Sequence, residues 1–136
     1  MDTACMKFDD DDFKLFKVEC AYWIAMLGLH EWEFLYVFDA PDEEAMACTL
    51  GNMEKMTAVI YFPRSISHCN DVKAMCRTDI IIKAAQHEIL EVLLMRIQVL
   101  AQSRSFQPDI FTGEVHSVIH RMAMILDRLR ALEVAM

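Results

Sequence analysis

Residues 79–95 read Asp79-Ile80-Ile81-Ile82-Lys83-Ala84-Ala85-Gln86-His87-Glu88-Ile89-Leu90-Glu91-Val92-Leu93-Leu94-Met95. No Gly or Pro interrupts them, and apolar residues fall on nearly every side of a 3.6-residue period, the pattern of a buried helix. The periodicity predicts a helix from about Thr78 or Asp79 to roughly Gln102. His87, Glu88 and Glu91 interrupt the apolar run at its middle. A buried carboxylate is costly unless it is paired, protonated or bound to a metal. The helix that should organise the core is therefore also the place to look for chemistry.

Working outward, residues 13–28 form a second apolar-rich helix that stops at Gly28. Residues 32–38, 45–50 and 57–62 read as three strands. Turns at 41–44 and 51–52 separate them, and Pro63 ends the last. The connections look too short for crossovers, so the expected sheet is an antiparallel meander. Residues 64–77 read as a loop with a short helical turn near 72–75. A last helix over about 112–134 carries the stripe Val115, Val118, Ile119, Met122, Ile125, Leu126 and Leu129. The fold class is α+β: a small antiparallel sheet, an N-terminal helix, a central motif helix and a C-terminal helix, in one domain spanning 1–136. Residues 1–12 read as a flexible acidic N-terminus. Within its run Asp9 to Asp12, Asp11 or Asp12 caps the first helix. An EF-hand loop would need alternating ligands and a Gly, and the run has neither.

Composition narrows the function classes. Of 136 residues, 55 % are apolar, 13 are basic and 21 acidic, for a net charge of −8. That charge, with no basic stripe, argues against direct nucleic-acid binding and against anionic membranes. No apolar run approaches the ~20 residues of a membrane helix, and the first residues do not read as a secretory signal. Five cysteines at irregular spacing make a poor disulfide framework, and His68, Cys69 and Cys76 match no paired-cysteine zinc pattern. Reduced thiols point to a cytoplasmic setting.

The spacing of the central motif suits a metal. His87 and Glu91 are four apart and share one helix face, so an imidazole nitrogen and a carboxylate oxygen can meet one zinc ion at ~2 Å each. Glu88 is turned about 100° from His87. In His-Glu-x-x-His enzymes the equivalent Glu is not a ligand but the base that deprotonates metal-bound water. A catalytic zinc takes three protein ligands and keeps one open position. The last helix offers Glu114, His116 and His120, and a short connection should fold that helix back so that at least one of them faces the space of His87. A plainer reading makes Glu88 and Glu91 a solvated helix edge, with Lys83 and Arg96 as ordinary partners.

The order of elements resembles small zincin-like metallopeptidases encoded by bacteriophages and prophages. The stretches that carry the resemblance are Tyr22-Trp23-Ile24-Ala25-Met26-Leu27-Gly28-Leu29, Trp32-Glu33-Phe34, Thr57 to Phe62, Ala84 to Leu94 and Glu114 to Met122. Only the motif helix is specific. The resemblance implies a zincin-like fold, a zinc ion held by His87, Glu91 and one of Glu114 or His116, and Glu88 as catalytic base. The family's second His is Glu91 here. An anionic ligand makes the metal less Lewis-acidic and favours harder ions such as manganese. Two function classes follow. One is a metal-dependent hydrolase acting on a peptide or protein in the host cytoplasm. The other is a non-catalytic zincin-like binding protein that engages a host protein, as an anti-host or anti-defence factor, through its acidic surface. Oligomeric state is not written in these patterns.

Overall fold

A computed structural model describes residues 6–39, 47–66, 76–103 and 107–135. The first helix, α1 (Asp10–Leu27), begins earlier than its apolar pattern suggests, because the aspartate run builds a reciprocal cap. The Asp9 side chain accepts from the Asp12 N–H at 2.9 Å, and the Asp12 carboxylate accepts from the Asp9 N–H at 2.9 Å. Asp9, and neither Asp11 nor Asp12, is thus the N-cap. Asp12 is further held by Arg77 at 2.6 Å. The same guanidinium donates to the Lys7 carbonyl at 2.7 Å. These bonds join Lys7, Asp9 and Asp12 to one another through Arg77 and the helix cap, while residues 1–5 lie outside the described residues. Gly28 closes α1 in the left-handed region (φ 65°), where a Cβ would be strained.

Two sheets follow. The larger contains β2 (Glu33–Val37), β3 (Cys48–Asn52) and β4 (Thr57–Tyr61) in the order β2-β4-β3. β3 and β4 form an antiparallel hairpin, whose turn is tied by Asn52 Oδ1 accepting from the Lys55 N–H at 3.1 Å. β2 pairs with β4 in parallel, so the sheet is mixed and not an antiparallel meander. The chain reverses twice between β2 and β4. β3 lies at the far edge from β2, and the hairpin returns β4 to the middle. Residues 51–52, read from sequence as a turn, are the end of β3, and the turn is at 53–56. A smaller sheet pairs β1 (Met6–Lys7) with β5 (Ser65–Ile66), which the sequence pattern did not suggest. The proposed helical turn at 72–75 lies outside the described residues.

Register fixes which side chains share a face. Thr49, Ile60 and Tyr36 form one row and Gly51, Ala58 and Phe34 the next. Ala58 and Ile60 are fully buried, so these rows face the helices. The neighbouring row, Leu35, Val59 and Leu50, faces away, and Leu35 and Leu50 are exposed.

The second helix, α2 (Arg77–Gln102), lies against α1 and the sheet with Ile81, Ala84, Ala85, Glu88, Ile89 and Val92 among its buried residues. Phe62, just after β4, anchors the aromatic part of the core: its ring centroid lies 4.5 Å from Phe16 and 4.8 Å from Phe8. Burying each such ring contributes about 1.5–3 kcal/mol. The third helix, α3 (Pro108–Ala135), starts at Pro108, whose missing N–H costs nothing in a first turn. It has no fully buried residue. Val118 and Ile125 rest on the core. Arg121 donates to the carbonyls of Leu27 (2.7 Å) and Gly28 (3.1 Å), and Arg128 to that of Met26 (3.5 Å), so α3 is fastened to the negative end of α1. Among the described residues no helix is long and apolar enough to cross a membrane.

Candidate metal centre

The motif of α2 straddles the border between its buried and exposed faces. Glu88 has Ala84 four residues before it and Val92 four after it, both buried, so it sits on the inward stripe and is 3 % exposed. His87 and Glu91, one position around, stand outside with side chains 69 % and 46 % exposed. His87 Nε2 lies 3.2 Å from Glu91 Oε1. The three side chains each offer a ligand atom, and these atoms lie within 4.8 Å of one another. One imidazole and two carboxylates suit a divalent ion such as zinc or manganese.

Glu88 points across the core to the sheet, where the Thr49 hydroxyl of β3 donates to its Oε2. Thr49 is on the inward row, which is why its hydroxyl can reach the helix. Burial raises the pKa of Glu88 and the neighbouring Glu91 charge adds to this. The Thr49 hydrogen bond and the His87 charge act in the opposite sense, and the net direction is upward. Cys20 of α1 is fully buried near this carboxyl. Its thiol pKa is raised by burial and then by the charge of Glu88. Tyr36, on the Thr49 row, is raised by burial as well. Glu88 thus occupies a low-dielectric pocket with a single hydroxyl donor, and Oε1 is the oxygen that Thr49 does not engage.

The other sequence candidates stand elsewhere. Glu114 is 3.9 Å from Arg96. Arg96 lies nine residues beyond His87 on α2, about 13 Å along the axis at 1.5 Å per residue. His116 and His120 are exposed on α3. The structure therefore brings His87, Glu88 and Glu91 together, and among the described residues the metal-ligand group does not include Glu114, His116 or His120. A partly open cleft of about 30 Å³ is lined by Trp32, Arg96, Glu114 and Arg121 among others. It has room for about one water. The solvated-edge reading of Glu88 and Glu91 holds for Glu91 but not for the buried Glu88, and Arg96 pairs with Glu114 on α3. Thr49 is the residue of this candidate site that the sequence reading passed over. The signal for it was indirect: a buried carboxyl needs a donor, and a Thr in a strand facing the helix can supply one. Compared with family models, curated proteins and solved structures, the chain finds no match.

Proposed function

We propose that the chain is a metal-dependent hydrolase of peptide bonds, resembling the zincin metallopeptidases of bacteriophages and working in the host cytoplasm. The observation that carries this reading is Glu88. A carboxyl buried in the centre of an apolar helix is costly, and this one lies directly beside an exposed His–Glu pair of metal-ligand spacing. His87 Nε2 and a Glu91 oxygen would hold zinc, with manganese the alternative. Glu114 and His116 would enter the ligand set only if α3 moved. When bound, the ion would polarise the scissile carbonyl and make a water molecule acidic.

The protein's own residues would do the rest. Thr49 holds Glu88 Oε2, which fixes the carboxylate plane and leaves Oε1 to take a proton from the attacking water. Burial raises the proton affinity of Glu88, which helps it take the proton from water before passing it to a leaving amine. A second reading is a zincin-like binding protein that engages a host protein through its acidic surface. It draws support from the pairing of His87 with Glu91 and of Glu88 with Thr49, which satisfies all three groups without an ion.

The test is zinc and manganese content of protein purified without chelator, together with cleavage of a quenched fluorescent peptide mixture. The hydrolase reading expects metal and activity in the parent, metal but no activity in Glu88→Gln, and neither in His87→Ala. Full activity in Glu88→Gln would remove Glu88 as the base. A parent inactive with or without added zinc or manganese would leave the binding-protein reading.

A further inference from the structure

The edge strand β3 rests on α2 at two points. One is the Thr49 hydroxyl on Glu88. The other pairs Gly51, next on the same inward face, with Met95, seven residues beyond Glu88 and so on the same stripe of the helix. A Cβ on Gly51 would collide with both the Sδ and the Cε of Met95. Glycine is what lets the thioether lie directly on the strand backbone here. Met95 is half-buried against the core. The Thr57 carbonyl oxygen borders the same place, 3.8 Å from that Cβ position. Among the described residues β3 has β4 as its one strand neighbour, and Leu50, Gly51 and Asn52 are exposed, so small solutes can approach the contact from the open edge.

We propose that Met95 is a peroxide-sensitive latch: oxidised to the sulfoxide, it unseats β3 from α2 and withdraws the Thr49 hydroxyl from Glu88. In the reaction the sulfur lone pair takes one oxygen atom from hydrogen peroxide. The S–O bond forms as the O–O bond breaks, and water leaves with both hydrogens. Sulfur loses two electrons and the peroxide gains them. The product fits the seat badly. It adds an oxygen to a sulfur already in contact with the strand. That oxygen is an acceptor in need of a donor, and the Thr57 carbonyl beside the seat is an acceptor too. A polar group held without a partner in an apolar contact is costly. An edge strand held by one neighbour is the element least able to offset that cost, so it opens first. The change turns an apolar thioether into a polar group and is undone by methionine sulfoxide reductases. The latch needs neither metal nor substrate, so it stands apart from the hydrolase reading.

The experiment treats the full chain with hydrogen peroxide, follows each methionine by peptide mass spectrometry and reads hydrogen exchange over 48–52, with Met95→Leu beside the parent. Leucine keeps the volume and has no sulfur to oxidise. In the parent, exchange over 48–52 should rise about tenfold in step with Met95 sulfoxide, a loss of ~1.4 kcal/mol of local protection. Methionine sulfoxide reductases should restore it. Met95→Leu should keep its protection while its other methionines oxidise. Thr49→Val should speed exchange over 48–52 in the reduced chain and add little in the oxidised one, where the bond it removes is already broken. A Met95 that stays reduced while the more exposed Met122 and Met124 are oxidised overturns the proposal. So does Met95 sulfoxide with unchanged exchange, a result that depends on no variant. A loss of protection in Met95→Leu equal to the parent's would move the effect to another methionine, such as Met53 or Met56 of the following turn, and overturns it as well. Full additivity of Thr49→Val with oxidation overturns the link to Glu88.

Discussion

Replacing Thr49 by Val isolates the one hydrogen bond that reaches the buried Glu88. The substitution keeps the branched shape, so it opens no cavity, and removes only the hydroxyl that donates to Oε2. A hydrogen bond to a charged group contributes about 1.5–3 kcal/mol, more than one between neutral groups. Glu88 can avoid part of that loss by keeping its proton, because burial already raises its pKa. The sign follows from linkage. A carboxyl whose folded pKa is raised gives stability that is complete below its unfolded pKa and is lost as pH rises through the folded pKa. The Thr49 bond acts to lower that pKa, so its removal should raise it further and deepen the loss at higher pH. For 136 residues, about 1 kcal/mol corresponds to roughly 3.5 °C in Tm. Metal-stripped Thr49→Val should therefore melt about 5–10 °C below the parent at pH 8. As the pH falls and Glu88 takes up its proton, only a neutral bond is lost and the deficit should shrink to about 2–5 °C. In a Glu88→Gln background the same substitution should cost the smaller amount at high and low pH alike. Equal losses in both backgrounds and across pH would refute the claim that a buried, ionisable Glu88 is the partner.

Glu88→Gln alone should stabilise the metal-free protein at pH 8 relative to pH 5 and flatten its stability-versus-pH curve. Chemical denaturation at the two pH values measures this, and a steeper curve in the variant would contradict it. Phe62→Ala should cost about 3–5 kcal/mol, because the ring is fully buried against Phe8 and Phe16; a denaturant midpoint close to the parent's would show that those contacts do not organise the core. Arg121→Met keeps most of the apolar stem but loses two bonds to the carbonyls at the end of α1. It should cost about 1–3 kcal/mol and weaken hydrogen-exchange protection in the last turn of α1 and along α3, and unchanged protection there would place the attachment of α3 elsewhere.

Local pattern carried much of this architecture. The apolar run of α2 and the stop at Gly28 are written in neighbouring residues, and so are the strands around 33–37 and 57–61. What neighbouring residues do not encode is partnership. A period of two says which side chains of β2 and β4 share a face, but nothing in it distinguishes parallel from antiparallel pairing. The pairing itself, β2 parallel and β3 antiparallel to β4, appears only in the fold. Four consecutive aspartates are equivalent as caps by composition. Asp9 is selected by a reciprocal bond with Asp12, and by Arg77, which is distant in sequence. β1 and β5 are two residues each, too short for any periodic signal.

The candidate site divides along the same line. Spacing four apart does put His87 and Glu91 on one face, and it does turn Glu88 aside. It does not say how deep each face lies, and depth decides the chemistry. Turned aside from His87, Glu88 could have pointed to solvent, where it would be an ordinary carboxylate. It points inward because Ala84, Ala85, Ile89 and Val92 make that stripe the most apolar part of α2, and Thr49 happens to face it from the sheet. The reverse holds for Glu114 and His116. Glu114 lies near the start of α3 and His116 shares the motif's four-residue spacing with His120, yet α3 docks where Arg121 and Arg128 find the free carbonyls of α1, which sets its first turns against Arg96 and away from His87. With Glu88 kept as the base and not a ligand, a complete three-ligand centre at His87 would need a third donor from outside the helix. With Glu88 engaged by Thr49 and Glu114 by Arg96, metal affinity should respond more to Glu91→Ala than to Glu114→Ala. Measuring both in parallel separates a centre built on α2 alone from one that α3 completes: equal losses would bring α3 into the site.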